Sequence, residues 1–266
     1  MSEIGNIFTY KGHKALIPYL TVGYPNVETT LDMVRLIASS GGDLIELGIP
    51  FSDPLADGTT IQRASYHALR LGVTPQQCIE VARTLRKEIN IPLVFMTYYN
   101  PVHRYGLDAF CGDCAQTGIN GLIIPDLPPE EGEEIEKLSE KYGLDLIYLL
   151  APTSTDERID MVASRSRGFI YLVSLTGVTG ARDSLPPELE SFVKRVRQRA
   201  QQPLCVGFGI STPDEARRVA KVADGVIVGS RIIQLLDENE PAAKVRTFIE
   251  SMKGALTNEV EESSDR

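Results

Sequence analysis

Residues 92–150 read PLVFMTYYNPVHRYGLDAFCGDCAQTGINGLIIPDLPPEEGEEIEKLSEKYGLDLIYLL. Three short apolar runs stand out, at 92–97 (PLVFMT), 121–124 (GLII) and 145–150 (DLIYLL). Each is apolar at odd and even positions alike, as in a strand covered on both faces of a parallel sheet. Between them, 107–117 and 129–142 carry the one-sided apolar stripe of an amphipathic helix. Gly118 and Gly143 follow these stretches, where a left-handed residue closes a helix. Strand, helix, strand, helix, strand is how a parallel α/β sheet is built.

The same rhythm continues in both directions. Further apolar runs lie at 15–21 (ALIPYLT), 43–48 (DLIELG), 169–174 (FIYLVS), 203–207 (PLCVG) and 225–228 (GVIV), with helical stretches at 27–40, 75–88, 155–167, 187–200 and 212–222. Thr74-Pro75 and Ser211-Thr212-Pro213 place a capping hydroxyl before an early proline, and Asp214-Glu215 add acid to a first turn. Eight such units point to a single-domain (β/α)₈ TIM barrel over residues 1–256, with extra short helices; a doubly wound open sheet is the alternative. The intervals after the second and sixth runs are long, and both follow strand C-termini, where barrel enzymes keep their chemistry. Residues 257–266 (TNEVEESSDR) are polar, acidic and aperiodic, and are expected to be a disordered C-terminal tail.

Hydrophobic residues at 42% and charged residues at 24% suit a globular chain with a real core. A net charge of −9 argues against a general nucleic-acid or membrane-surface binder. It leaves room for an anionic ligand held by backbone N–H groups. The start has no basic segment leading into an apolar stretch, and no run approaches the roughly 20 apolar residues of a membrane span. A cytoplasmic protein is expected, and four cysteines in 266 residues are no disulfide framework.

Two acidic residues attract attention. Glu46 sits inside an apolar strand and shares the parity of Leu44, so it points into the barrel mouth or pairs with a cation beneath a covering helix. A buried carboxylate without a partner is costly, and such groups mark active sites. In an apolar mouth its pKa should rise, which suits proton transfer near neutral pH. Asp57 follows in the stiff loop 50–58 (PFSDPLADG), with Asp53 beside it; either aspartate also fits a plain turn.

A second constellation is three small-residue loops after the last three strands, at 176–180 (TGVTG), 207–211 (GFGIS) and Gly229-Ser230. Late loops of a barrel build phosphate sites from backbone N–H groups and a short helix N-terminus, although glycine also serves ordinary turns. Tyr98, Tyr171 and Phe208 lie near strand ends and suit either an aromatic wall or packing. Cys111 and Cys114 match C-x-x-C without a second pair or spaced histidines, and His13, His67 and His103 are scattered, so neither a metal site nor a catalytic triad is supported.

Residues 46–62 (ELGIPFSDPLADGTTIQ) resemble, almost letter for letter, the signature of the tryptophan synthase alpha subunit family. Supporting matches are 21–25 (TVGYP), 98–101 (YYNP), 125–128 (PDLP), 174–182 (SLTGVTGAR) and 207–211. Thr59 departs from the family's usual proline, and Arg231 from a commonly small residue. The resemblance spans about residues 5–253 and implies a lyase of tryptophan biosynthesis. Its reaction is the retro-aldol cleavage of indole-3-glycerol phosphate to indole and glyceraldehyde 3-phosphate.

By this resemblance Glu46 shuttles protons and Asp57 accepts the indole N–H. Tyr98, Ile61 and Phe208 pack the ring, Tyr171 lies near the reacting centre, and Gly180, Gly209, Gly229 and Ser230 hold the phosphate. It further implies that 176–189 is a mobile lid bringing Thr179 near Asp57, and that the strand-two loop with Asp53 faces a β subunit in an α2β2 heterotetramer. Pyridoxal phosphate belongs to that partner, with no cofactor and no metal in this chain. A stand-alone lyase and a non-catalytic allosteric partner of the β subunit are the alternatives, and intact Glu46 and Asp57 weigh against the second.

Overall fold

The computed structural model describes residues 2–173, 187–207 and 209–264, with 258–264 as backbone only. Its strands are β1 (Ala15–Thr21), β2 (Ile45–Gly48), β3 (Leu93–Met96), β4 (Gly121–Ile123), β5 (Asp145–Ile147), β6 (Leu149–Leu150), β7 (Ile170–Val173), β8 (Leu204–Gly207) and β9 (Gly225–Val228). All neighbours pair in parallel, in the order β5-β4-β3-β2-β1-β9-β8-β7-β6.

The two ends of that order are one strand. β5 and β6 are separated only by Tyr148, whose N–H donates to the Ser166 hydroxyl at 3.1 Å. Its carbonyl accepts the Tyr171 N–H at 3.0 Å. The eight apolar runs therefore close into a TIM barrel, and the open-sheet alternative falls away.

Side chains alternate between two cores. Ile17, Tyr19, Leu44, Val94, Ile123, Ile147, Tyr171 and Ile227 fill the barrel interior. Leu16, Leu20, Ile45, Leu47, Phe95, Leu122, Leu172 and Val226 face the helical ring. Burial on both faces explains why these strands show no polar alternation in sequence. Ile4, on the short helix Glu3–Ile7, is fully buried and belongs to the interior cluster.

The long interval after β2 holds two helices, Thr59–Arg70 and Pro75–Leu85. Thr74 closes a capping box at the second, as expected. Thr59 is the first residue of its helix, where the family's proline loses no hydrogen bond, so the departure is conservative. The stretch 129–142 is not one helix: a 3-10 turn at Pro129–Glu131 is divided from the helix Glu133–Tyr142 by Gly132. No side chain fits at Gly132, since a Cβ there would lie 1.9 Å from the Tyr148 hydroxyl. The last helix, Pro241–Ser264, buries Val245, Ile249, Met252 and Leu256 and carries helical backbone into the polar tail. Among the described residues no helix is long and apolar enough to cross a membrane.

Candidate active site

The strand C-termini open into a cavity of about 290 Å³. Glu46, Asp57, Ile61, Tyr171, Gly209, Gly229 and Ser230 all line it, so residues spread over most of the chain meet in one place. Tyr98 does not line it. Thr179, Gly180 and Phe208 lie outside the described residues, as does most of the lid stretch 176–189.

Glu46 sits mid-way along β2, paired in register with Tyr19 of β1 and Val94 of β3. Leu44 belongs to the interior cluster, so the parity argument sends Glu46 inward and not beneath a helix. It is 0% exposed, and neither carboxylate oxygen has a hydrogen-bond partner among the described residues. Burial, with the charge of Asp57 added, pushes its pKa up to about 8. A carboxyl in such a place stays protonated at neutral pH instead of carrying an uncompensated charge.

Asp57 ends a loop that is braced from several sides. Its N–H donates to the Pro54 carbonyl at 3.0 Å, and its carbonyl accepts Nε2 of Gln62 at 2.8 Å. The Tyr98 hydroxyl accepts the Ala56 N–H at 3.0 Å, while the Tyr98 ring stacks on Phe51 at 5.2 Å. Burial pushes Asp57 up to about 6, and a hydrogen bond from Tyr98 opposes the rise. Tyr98 thus supports both the loop and the charge of Asp57. Asp53 is exposed, accepts from the Ser52 hydroxyl at 2.5 Å and does not line the cavity.

The pair titrates as a unit. Asp57 ionises first, and Glu46 then titrates against an existing negative charge. The environments differ as two roles require: among the described residues one carboxyl has no donor, the other has a phenol.

Two tyrosines were shaped into this mouth by glycine. A Cβ at Gly207 would lie 2.3 Å from the Tyr171 hydroxyl, and one at Gly48 would lie 2.1 Å from that of Tyr19. Both rings lie across a bare backbone on a neighbouring strand, and burial pushes both phenols well above their ordinary range. Tyr19, whose hydroxyl is 3.2 Å from that of Thr21, escaped the sequence reading. An aromatic inside ALIPYLT reads as core; only its parity with Ile17 and its place at the strand end signal the cavity.

In the same lining, Gly229 precedes the helix Ser230–Leu236, which has no side-chain cap. An uncapped helix start offers N–H groups to an anion, and Gly209 in the same lining adopts φ +72°, a backbone state that suits glycine. Arg231 also lines the cavity and pairs with Glu238 at 3.2 Å. Cys111 and Cys114, by contrast, are buried on the helix Leu107–Gln116, and burial raises both thiols. Among the described residues no group of three metal-ligating side chains exists.

The family model for the tryptophan synthase alpha chain matches residues 8–261. The chain belongs to that family. It is 59% identical over 256 residues to the tryptophan synthase alpha chain of Dehalococcoides mccartyi, covering 96% of this chain and 100% of that one. The alpha chain of Roseiflexus sp. is 48% identical, again over 96% and 100%. Among solved structures, the alpha subunit from Legionella pneumophila superposes with a TM-score of 0.90 at 35% identity, covering 97% of this chain and 99% of that one. A chain of M. tuberculosis tryptophan synthase, in its aminoacrylate-bound form, gives 0.88 at 36%, over 96% and 100%. The family makes this chain a lyase of tryptophan biosynthesis, cleaving indole-3-glycerol phosphate to indole and glyceraldehyde 3-phosphate. Alpha chains work with a beta chain, which is the pyridoxal-phosphate-dependent partner.

Proposed function

We propose that Glu46 and Asp57 divide the retro-aldol cleavage between them. At neutral pH Glu46 is mostly protonated and Asp57 mostly ionised, given values of about 8 and about 6. That sets the order of steps. The Glu46 carboxyl donates its proton to C3 of the indole ring, and Asp57 accepts the hydrogen bond of the ring N–H as positive charge builds there. The Glu46 carboxylate then takes the proton of the chain hydroxyl. The bond between ring C3 and the chain carbon breaks, its electron pair restores the aromatic ring, and the hydroxyl carbon becomes the aldehyde. Glu46 ends protonated, ready for another turnover.

Tyr98, Ile61 and Phe208 pack the ring, Tyr98 also supporting Asp57, with Tyr171 beside the reacting centre. Gly180, Gly209, Gly229 and Ser230 bind the phosphate, and Thr179 meets Asp57 when the 176–189 lid closes. The chain is cytoplasmic and pairs with a β subunit as an α2β2 heterotetramer. It carries no cofactor of its own, the pyridoxal phosphate belonging to the β subunit.

The observation that carries this reading is the unpartnered, fully buried Glu46 facing the same cavity as Asp57. Glu46→Gln and Asp57→Asn test it. Both should keep substrate affinity while indole release falls by at least about a hundredfold, the usual scale for a positioned acid or base. Turnover within tenfold of the parent in either variant removes that residue from the chemistry.

A further inference from the structure

The two ends of the cavity stand on different helices. Asp57 and Gly58 lead directly into the helix Thr59–Arg70, which carries Ile61, whereas Ser230 opens the helix Ser230–Leu236. A substrate that spans them needs their separation fixed. One turn further along the first helix is Arg63, and the residue that caps the second is Asp237.

These two side chains and Tyr24 form a closed ring of hydrogen bonds. Arg63 donates through one terminal nitrogen to Asp237 Oδ2 at 2.5 Å and through the other to the Tyr24 hydroxyl at 2.8 Å. The Tyr24 hydroxyl in turn donates to Asp237 Oδ1. Each group serves both others, and each terminus of the guanidinium fork and each carboxylate oxygen has its own partner. Tyr24 is only 5% exposed, in the turn after β1. Its ring is gripped by the same helix: Arg63 lies 5.6 Å from its centroid, and His67, one turn on, meets it edge-on at 5.3 Å. His67 also bonds the Pro25 carbonyl at 3.0 Å.

An exposed Arg–Asp pair alone holds little. A ring closed on a buried phenol differs, because the fork geometry fixes both partners at once and Tyr24 cannot move away. We infer that Arg63, Tyr24 and Asp237 are positioning residues that hold the helix behind Asp57 at a set distance from the helix that begins at Ser230. The ring touches no substrate. It acts by fixing the span between the two halves of the substrate site, and so rests on the roles given above to Asp57 and Ser230.

The test compares ligands that reach across the cavity with ligands that do not, using the full-length chain. The bridging probe is an indole joined to a phosphate by a three-carbon chain that cannot be cleaved; the separate probes are indole and glycerol 3-phosphate. Misplacement by about an ångström costs up to a hundredfold in rate. Arg63→Ala should therefore lower kcat about tenfold and weaken the bridging probe by a similar factor, with each half-ligand bound within twofold of the parent. Asp237→Asn and Tyr24→Phe should each do the same in part, and combining either with Arg63→Ala should add little further loss. Arg63→Lys keeps the charge without the fork and should not restore the bridging affinity.

Equal weakening of the halves and the bridge would mean a merely structural role. Unchanged bridging affinity and kcat would also overturn the inference. Ser230→Asp and Asp57→Asn serve as controls. If these impair phosphate affinity and turnover while Arg63→Ala is silent, only the ring is refuted. If the controls are silent too, the assignment of the two ends is wrong.

Discussion

Replacing Tyr98 by phenylalanine removes one hydroxyl and leaves the ring stacked on Phe51. That hydroxyl is what opposes the upward shift of Asp57. A hydrogen bond to a charged group contributes about 1.5–3 kcal/mol, and the partial exposure of Asp57 puts this one at the low end. One pKa unit corresponds to about 1.4 kcal/mol, so Asp57 should titrate about one unit higher in the variant.

With the productive form being Glu46 protonated and Asp57 ionised, kcat/KM is a bell with limbs near 6 and 8. Moving the acid limb up by about one unit lowers the ionised fraction about fivefold at pH 6, but only about twofold at pH 7. The alkaline limb stays in place. The assay is a pH profile of kcat/KM for indole release from indole-3-glycerol phosphate, for parent and Tyr98→Phe in the same buffers. A uniform loss at every pH would make Tyr98 a packing residue. An acid limb that does not move would sever it from Asp57, and a limb that moves down would reverse the sign of the argument.

Two further variants read the same site through stability. Glu46 is raised from 4.5 to about 8, so the folded chain retains a proton that the unfolded chain has released. Its contribution is fully present below pH 4.5 and is lost as pH rises to about 8, amounting to a few kcal/mol. Denaturant unfolding of Glu46→Gln should lack this decline, so that the variant gains on the parent between pH 5 and about 8; parallel curves for the two proteins would mean that Glu46 ionises freely. Gly48→Ala drives a methyl into the Tyr19 hydroxyl, 2.1 Å away. It should cost about 1–3 kcal/mol in the same measurement, and the same change made in a Tyr19→Ala background should cost almost nothing further. An equal cost in both backgrounds would place the strain elsewhere.

The barrel was legible because every strand is covered twice, and a run such as PLVFM cannot be mistaken for a one-faced strand. Glu46 was legible for the same reason: a carboxylate in such a run has only two places to go, and its parity with Leu44 chose the interior. The helix Thr59–Arg70 was not legible. Its buried positions are Ala64, Ser65 and Ala68, small side chains that pack by close approach and leave almost no apolar stripe. The tie between Tyr98 and the Asp57 loop was not legible, because position at a strand end does not say toward which neighbour a ring turns. The ring of Arg63, Tyr24 and Asp237 is invisible in sequence for another reason. Its members are 39, 213 and 174 positions apart, and each alone is an ordinary surface or turn residue.

Depth of burial and supply of donors both separate the two carboxyls proposed to be catalytic: Glu46 is fully buried, whereas Asp57 is only partly so. Both are pulled out of water, and desolvation is the larger cause of the rise in each. Asp57 receives a phenol from Tyr98 and a loop tied at Pro54, Ala56 and Gln62, so its charge has somewhere to rest. Glu46 receives no hydrogen bond among the described residues: its neighbours in register are Tyr19 and Val94, and the Tyr19 hydroxyl has Thr21 within 3.2 Å. A donor placed beside Glu46 would lower its pKa and stabilise the fold, but it would also leave the group ionised and unable to begin by giving a proton. On the proposed mechanism the lack of donors to Glu46 among the described residues serves the chemistry, and the glycines at 48 and 207 let two tyrosine rings lie across neighbouring strands at the mouth.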